Sequence, residues 1–498
     1  MRACVLWTSR NEKPQDARDG KGGCGALCPW DARCKEWRHE AETIMKKTAI
    51  AGITALLVVL LVAPPQGPAE APAAQPPVLE NTENNAGDGA SIRPREKLTV
   101  ERCVQVALRN SANILAASHT VNATMSRVGQ AWSGYYPQIT LTGEYKEFEG
   151  IPNFFPLPTT VFQPVRQDNY SWSATLTQNI IDFGRTSEQV SIRQRDLVAS
   201  REDLRDTTGL IVFNVKSAYY GFLRAEKNRD VLRETVALFE KQLEQARSFY
   251  EAGMKSKFDV TNAEVELGNA KLNLIHAENA LQIARVTLNN AMGVPDAPEY
   301  TIEDTLSFQK YPITFEEARD RAFQNRPDIG STAARREAAE ASLSLARKGH
   351  LPTISGNANY MRAGESYPPE QTNWSVGVTL TVPFFSGFLT THQVGEAMEN
   401  LSVIKANEEV LRQNILLTVQ QVHLKLLEAE ERKGLAELTV NQAEENYKLA
   451  QGRYEMGAGS PIEVTDALLK LSNARMNLVA ALADHKAAEA ELQRAMGE

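Results

Sequence analysis

The most regular feature of the chain is an apolar repeat, between Gly253 and Gly293, that alternates steps of three and four residues. Ten positions follow this spacing without interruption, and large residues alternate with alanine among them: Val260, Ala263, Leu267, Ala270, Leu274, Ala277, Leu281, Ala284, Leu288 and Ala291. A sustained heptad of this kind predicts a long helix that packs against neighbouring helices with a left-handed supercoil. The alanines allow those neighbours to approach closely.

The same pattern returns between residues 457 and 497, with His485 as its only polar member. The repeat extends beyond these helices. An earlier helix, predicted over about 98–136 with Thr99 as its N-cap, has a counterpart that begins at Ile313. Self-similarity over such a length indicates two structural copies within one chain.

Between the helices of each copy the period of the pattern changes from 3.6 to 2, which predicts β-strands. After Pro137 and Pro352, apolar and aromatic residues alternate with polar ones, many of them Ser or Thr. The strands are predicted over 139–145 and 170–176 in the first copy and 354–360 and 374–382 in the second, with loops over 148–169 and 361–373. Each strand has one apolar face and one polar face, with aromatic residues near the ends.

Two interpretations of this alternation are open. An antiparallel sheet can pack one apolar face on a core. Here, however, the helices are expected to pack their apolar stripes against one another, so no segment is left to supply that core. Strands of about ten residues with aromatic ends are typical of outer-membrane barrels, and we favour this interpretation. Because an open sheet edge is not tolerated in lipid, subunits must pool their strands. Two chains give eight strands and a filled interior, whereas three give twelve and an open lumen, which suits the polar face better.

Each hairpin is followed by a stretch without proline, over 185–251 and 389–455, which predicts two helices of about 100 Å. The first helix and the heptad helix of each copy together match this length, so each copy supplies two helical columns. The predicted fold is mixed but mainly α, with a two-fold internal repeat. It combines a long α-helical coiled-coil barrel with a trimeric twelve-stranded transmembrane β-barrel, four strands per chain.

The N-terminal part differs in composition from the rest. A basic and then apolar stretch from Met45 is typical of a secretory signal, and it is shorter than the roughly 20 residues that a membrane-spanning helix needs. Residues 1–44 lack periodicity, and we interpret them as an upstream extension included in error; a metal site from Cys24, Cys28 and Cys34 is the alternative. The predicted division is 1–44 extension, 45–73 signal peptide, 74–97 linker, 98–293 first repeat, 294–312 inter-repeat linker and 313–498 second repeat.

Charge and motifs exclude several classes of function. The net charge is −8, so no nucleic-acid partner is expected. The seven histidines are scattered, and the Gly-Met-Lys-Ser sequence at 253–256 lacks the frame of a phosphate-binding loop. We therefore expect no catalytic residues, no metal and no cofactor, and any energy must come from a partner protein.

The turns between the long and heptad helices carry the most specific sequences. Tyr-Glu-Ala-Gly at 250–253 and Tyr-Glu-Met-Gly at 454–457 are followed by Phe-Asp-Val and Ile-Glu-Val. With the order helix, hairpin, long helix, turn and heptad helix, residues 95–498 resemble the TolC-type outer-membrane efflux channel family. The resemblance implies a homotrimer with its barrel in outer-membrane lipid and a tunnel across the periplasm. It also implies a passive exit channel of a tripartite efflux pump or type I secretion system.

In such a system the tip of the tunnel is closed at rest and is opened by a periplasmic adaptor attached to an inner-membrane transporter. Four positions match the gate of the family: Asp259, Tyr454, Glu463 and Asp466. Four turn residues are expected to contact the adaptor: Gly253, Ser256, Gly457 and Ser460. A member of the family has an arginine where this chain has Gly459, so one link of the gate is expected to be missing.

Helix capping offers a structural explanation for two of the acids. Asp259 and Glu463 each stand three residues after a serine and fit a capping box. Asp466 lies outside the cap, and its alternative role is a small gain from the helix dipole. Gly253, Gly457 and Gly459 suit the positive φ of a helix exit.

Two other classes of protein are alternatives to an exit channel. A structural coiled-coil protein of the envelope would explain the heptads but not the matching hairpins. A periplasmic adaptor subunit would contain one helical hairpin flanked by β-rich domains, not two copies with strands at the opposite end.

Overall fold

A computed structural model describes residues 92–150 and 165–498. The helices are α1 (Val100–Asn110), α2 (Ala112–Trp132), α3 (Arg185–Glu251), α4 (Lys257–Ala291), α5 (Phe315–Asn325), α6 (Pro327–Lys348), α7 (Leu389–Glu455) and α8 (Pro461–Ala495). The strands are β1 (Lys97–Leu98), β2 (Gln138–Gly150), β3 (Val165–Ile181), β4 (Thr301–Ile302), β5 (Thr353–Gly364) and β6 (Gln371–Thr381). The predicted extension over 1–44, the signal peptide over 45–73 and most of the linker over 74–97 lie outside the described residues.

The two long helices have the predicted bounds. Both α3 and α7 are 67 residues long, about 100 Å at 1.5 Å per residue. Each helix is preceded by a residue in the left-handed region of backbone conformation, Gly184 at φ 83° and Phe388 at φ 65°. The sharp entry turns the chain directly from the sheet into the helix.

The first helix of each copy is broken, which the apolar pattern does not show. Ser111, with ψ 115°, separates α1 from α2, and Arg326, with ψ 126°, separates α5 from α6. Arg326 precedes Pro327, and a residue before proline is disfavoured in the helical region. The single helix predicted over 98–136 is therefore wrong, although its N-cap is right: Thr99 Oγ1 accepts a hydrogen bond from the Arg102 amide at 3.2 Å.

Strands β2, β3, β5 and β6 form one antiparallel sheet in that order. Directly paired residues include Leu141 with Ala174, Leu176 with Ala358 and Val376 with Ala358, so the pairing brings the apolar sets of all four strands to one face. The other face is polar and hydrogen-bonded across strands: Asn359 Nδ2 donates to Thr175 Oγ1 at 2.9 Å, and Asn357 Nδ2 to Thr379 Oγ1 at 3.1 Å.

The strands are longer than predicted. Pairing continues from Gly150 opposite Val165 in the first hairpin, and β5 runs on to Gly364. The predicted loops over 148–169 and 361–373 are therefore too long. The pattern hides these ends because charged residues such as Glu147 replace the apolar ones beyond the aromatic positions while the backbone ladder continues.

The apolar face of the sheet is exposed in the single chain. Leu141 is 77 % exposed, Val376 75 % and Trp374 74 %, and no described element covers them. The interpretation in which this sheet rests on a core of its own chain is therefore wrong. Aromatic pairs lie towards both ends of the strands, with Tyr145 and Tyr170 centroids 4.9 Å apart near the hairpin ends and Phe385 and Phe388 centroids 5.7 Å apart near the helices.

A two-stranded parallel sheet joins the two predicted linkers, and the sequence analysis missed it. Lys97 pairs with Thr301 and Leu98 with Ile302. The buried Tyr219 of α3 holds the pair, because its hydroxyl lies 3.2 Å from the Leu98 carbonyl and 2.7 Å from the Glu303 carbonyl. Two-residue strands carry no periodic signal, so only the three-dimensional packing reveals them.

The helices form four adjacent columns in the order α2 and α4, then α3, then α6 and α8, then α7. The helix α8 contacts both α3 and α7, and its heptad seam is buried almost throughout, including Val464, Leu471 and Leu492. The seam of α4 is buried at fewer positions because α3 is the one long helix against which α4 packs extensively in the described part of the chain. The α4 and α7 columns are therefore the two edges of the chain.

Candidate gate at the helical tip

Two short turns form the tip of the columns, one from α3 to α4 and one from α7 to α8. Gly253 and Gly457 follow the helix ends with φ of 73° and 75°, a conformation that glycine adopts without strain. The Gly253 amide donates to the Tyr250 carbonyl at 2.9 Å, and the Gly457 amide donates to the Tyr454 carbonyl at 3.0 Å. The predicted helix exits are confirmed at these two glycines.

Gly459 has a different role from the one predicted. Its φ is not positive, and its amide donates to the Arg453 carbonyl at 3.0 Å. A Cβ at this position would lie only 3.0 Å from the Tyr454 amide nitrogen. The turn therefore needs glycine because the backbone folds tightly against the end of α7.

The two predicted capping boxes do not form. Ser460 Oγ accepts from the Ile462 amide at 3.2 Å, but the Ser256 side chain makes no cap hydrogen bond. Neither the Asp259 nor the Glu463 carboxylate accepts a hydrogen bond from the backbone amide of the serine three residues before it. The complete box of the described chain is at Thr314 and Glu317 instead. Capping therefore does not account for the two acids.

Tyr454 is the most buried of the predicted gate residues. Its side chain is 1 % exposed and packs against Phe249 of α3, with ring centroids 5.7 Å apart. Lys255 Nζ lies 5.3 Å from the ring centroid. The Tyr454 hydroxyl has no hydrogen-bond partner among the described residues. Burial and the nearby charge of Asp259 raise the pKa of this phenol, so it remains a neutral donor at physiological pH.

The two acids of α8 have cationic partners within the same hairpin. Glu463 Oε2 lies 3.6 Å from Arg453 Nε, and Asp466 Oδ2 lies 2.7 Å from Lys470 Nζ. All four side chains are about half exposed or more, so each pair stabilises the fold by at most about 1 kcal/mol. The structure therefore places Asp259 near Tyr454, whereas Glu463 and Asp466 stand exposed on the surface of α8.

A buried polar layer above the tip was missed by the sequence analysis. Gln242 Nε2 of α3 donates to Thr465 Oγ1 of α8 at 3.0 Å, and Thr235 Oγ1 donates to Ser472 Oγ at 3.0 Å. Thr465 and Ser472 are one heptad apart and next to apolar seam positions, which is the signal that could have located the layer. Buried hydrogen bonds of this kind fix the register of packed helices.

Two charged residues of α8 reach both neighbouring columns. Arg475 contacts Glu234 of α3 at 2.9 Å and Glu444 of α7 at 2.7 Å. Higher up, Asp484 contacts Arg224 of α3 at 3.3 Å and Arg432 of α7 at 2.6 Å. The pairing with Arg475 lowers the pKa of Glu444. These contacts tie the first copy to the second above the tip.

Over residues 92–150 and 165–498, no helix combines the length and apolarity that crossing a membrane requires. The same residues contain no group of three or more His, Cys, Asp or Glu side chains placed to hold a metal ion.

Comparison with known proteins identifies the family. The family described as outer membrane efflux protein matches residues 103–294 and 318–498. The chain therefore belongs to this family. It is an outer-membrane protein of the efflux-channel class.

Individual relatives can be aligned with this chain over most of their length. The outer membrane protein TolC of Vibrio cholerae is 23 % identical over 402 residues, which cover 78 % of this chain and 89 % of the relative. The cobalt-zinc-cadmium resistance protein CzcC of Cupriavidus metallidurans is 22 % identical over 418 residues, covering 82 % and 92 %.

Solved structures share the fold. The transmembrane channel CusC aligns with a TM-score of 0.71 at 18 % identity, covering 80 % of this chain and 92 % of that one. VceC of Vibrio cholerae aligns with a TM-score of 0.67 at 18 % identity, covering 80 % and 96 %. The predicted combination of a helical tunnel with a β-barrel is thus confirmed as the fold.

Proposed function

We propose that the protein is the outer-membrane exit channel of a tripartite efflux pump or type I secretion system, a passive conduit gated at its periplasmic tip. The observation that carries this proposal is the four-stranded sheet with an exposed apolar face and a hydrogen-bonded polar face. One face suits lipid, and the other suits a water-filled lumen. The helices that continue from this sheet would extend the lumen across the periplasm.

The free edges of the chain support a homotrimer. The sheet ends at β2 on one side and at β6 on the other, and a barrel in lipid leaves no open edge. Three copies would join these edges and close twelve strands around an open lumen.

The helical edges support the same assembly. On α4, Val265, Leu272 and Val286 lie on one heptad position and are each more than half exposed. The opposite edge, α7, has its own exposed heptad stripe: Val403, Val410, Leu417 and Leu424. Because the two stripes are on different surfaces, a contact between them would be heterologous, and such contacts form a ring when the rotation from copy to copy closes.

The gate is assigned to Asp259, Tyr454, Glu463 and Asp466. A three-fold axis would bring copies of the exposed acids of α8 around the narrow end. The unpartnered hydroxyl of Tyr454 would find its acceptor across the interface between neighbouring chains. The arginine that a member of the family has at this position is replaced by Gly459, and the Arg453–Glu463 pair would supply a link within the hairpin instead.

The tip turns would bind a periplasmic adaptor, which connects the channel to an inner-membrane transporter that supplies energy. The predicted contact residues Gly253, Ser256, Gly457 and Ser460 lie between large exposed apolar side chains, namely Met254, Phe258, Met456 and Ile462. Exposed apolar side chains at a rigid tip are suited to a protein partner. The same proposal divides the chain into an extension over 1–44, a signal peptide over 45–73, a linker over 74–97, and two repeats, 98–293 and 313–498, joined by a linker over 294–312.

Deletion of the gene followed by fractionation of the complemented strain tests this function. The protein should be recovered in the outer membrane, should migrate on a denaturing gel as an assembly of three chains before heating and as a single chain after it, and should restore efflux of a fluorescent dye. A structural coiled-coil protein would not be heat-modifiable, and an adaptor would fractionate with the inner membrane. Either result would overturn the proposal.

A further inference from the structure

The outward face of the sheet contains a cation within its aromatic band. Arg362 of β5 is paired with Trp172 of β3 and with Thr372 of β6. Directly paired residues share a face of the sheet, so Arg362 lies on the same side as Trp172 and Tyr360, whose ring centroids are 5.6 Å apart. This is the face assigned to lipid, and the site described here rests on the proposed function.

The side chain of Arg362 has no hydrogen-bond or ion-pair partner in the described part of the chain. Its Nε atom is buried without an acceptor, and none of the described carboxylates forms an ion pair with the guanidinium. Glu147 and Asp168 are on the same face but lie farther towards the hairpin ends, where Tyr145 Oη donates to Asp168 Oδ1 at 3.2 Å. Asp168 is four residues beyond Trp172 on β3, about 14 Å at 3.4 Å per residue.

The position along the strand determines what an unpaired cation can contact. All helices leave the sheet at the ends of the strands opposite the hairpin ends, so Arg362 faces the outer leaflet of the outer membrane. Aromatic side chains mark the level where acyl chains give way to headgroups. A lipid-facing arginine at that level costs little, in contrast to one at the midplane.

We propose that Arg362 binds the phosphate of a phosphorylated glycolipid of the outer leaflet, such as lipid A. The planar guanidinium forms two parallel hydrogen bonds to phosphate oxygens, which matches its unused donors. Trp172 and Tyr360 would pack on the sugar and the first part of the acyl chains. Each chain of the assembly would hold one such lipid at this position.

Native mass spectrometry of the purified full-length assembly, with lipid A added, tests the proposal. The wild-type protein should retain one lipid A per chain, and Arg362→Gln should lose it. Arg362→Lys should retain less than the wild type, because lysine lacks the two-pronged geometry. Lys146→Gln is the matched control: Lys146 is on the polar face of β2, paired with Asn169, and its loss should leave retention unchanged.

The probes distinguish the sources of phosphate. Dephosphorylated lipid A should not be retained by the wild type, a comparison that needs no variant. Equal retention of both lipids, or equal retention by wild type and Arg362→Gln, would overturn the proposal. Displacement of lipid A by an equal concentration of inorganic phosphate would also overturn it, because the site would then bind free phosphate. Failure of the wild type to assemble in the outer membrane would instead contradict the proposed function.

Discussion

At the scale of single residues, we expect the exposed acids of α8 to determine which ions the closed tip attracts. Asp466 is 58 % exposed and is partly neutralised by Lys470. Three copies around an axis would create a cation-attracting constriction. We predict that Asp466→Asn weakens block by trivalent cations about tenfold, a change of about 1.4 kcal/mol in binding. Single-channel current in planar bilayers, with the cation added on the periplasmic side, measures this.

Lys470→Gln is the control for that prediction. Removal of the lysine should leave Asp466 uncompensated, so block should occur at lower cation concentration than in the wild type. Unchanged selectivity and blocking concentration in Asp466→Asn would mean that Asp466 is an ordinary exposed residue of α8 and that the constriction lies elsewhere.

His485 is a second residue with a measurable consequence. It is 1 % exposed, its ring centroid is 4.9 Å from that of Phe308, and its Nε2 lies 3.9 Å from Glu430 Oε1. Burial lowers the pKa of His485, with Lys486 acting in the same direction and Glu489 and Glu430 opposing it.

A lowered folded pKa means that the contribution of His485 to stability is present above its unfolded value of about 6.5 and is lost as pH falls through the folded pKa. We predict that the unfolding temperature of the wild type falls more steeply between pH 7.5 and pH 5 than that of His485→Gln. Circular dichroism of both proteins over this range measures the two slopes. Identical slopes would contradict the prediction.

The sequence predicts some of the tip residue by residue but not the partners of the acids. Gly253 and Gly457 are predictable because a left-handed helix exit strongly favours glycine. The contact between Tyr454 and Phe249 joins two helices that are far apart in the chain, and nothing in the local pattern encodes it. The same applies to Gln242 and its partner on α8.

At the scale of the elements, successive residues of each strand lie on opposite faces of the sheet, one apolar and one polar. Val378 is on the apolar face and is 69 % exposed, whereas Thr379, next to it, is on the polar face and accepts from Asn357. We predict that Val378→Arg blocks assembly in the outer membrane, because a lipid-facing cation near the midplane costs about 2–4 kcal/mol per site. Thr379→Arg should assemble and change the conductance. Quantification of heat-modifiable protein in the outer-membrane fraction measures assembly, and equal assembly of the two variants would reverse the assignment of the faces.

Element type is predictable here to different degrees. The two 67-residue helices follow from uninterrupted stretches without proline, and their bounds are those expected. The breaks at Ser111 and Arg326 and the pair of strands β1 and β4 are too short to affect a periodic pattern. The outer ends of the main strands are paired by backbone hydrogen bonds, which do not depend on the alternation of side chains.

At the scale of the whole molecule, a single chain leaves its sheet edges unpaired and some of its apolar helix surface uncovered. It has free edges at β2 and β6, and its outer columns α4 and α7 expose apolar stripes at heptad spacing. The sequence shows the heptads, but only the structure shows which of their residues remain uncovered. The almost complete burial of the α8 seam beside the partial burial of the α4 seam is the difference expected if, as proposed, a second chain completes the packing on α4.

The number of chains in the assembly tests the central claim most directly, because two chains would enclose an interior filled by side chains and three would enclose an open lumen. Native mass spectrometry of the protein extracted from the outer membrane in mild detergent measures this number. We predict a single species of three chains that dissociates on heating. A stable monomer or dimer as the only species would contradict a barrel formed from the strands of three chains. It would also contradict the proposed role as a passive channel, which needs the open lumen of that barrel.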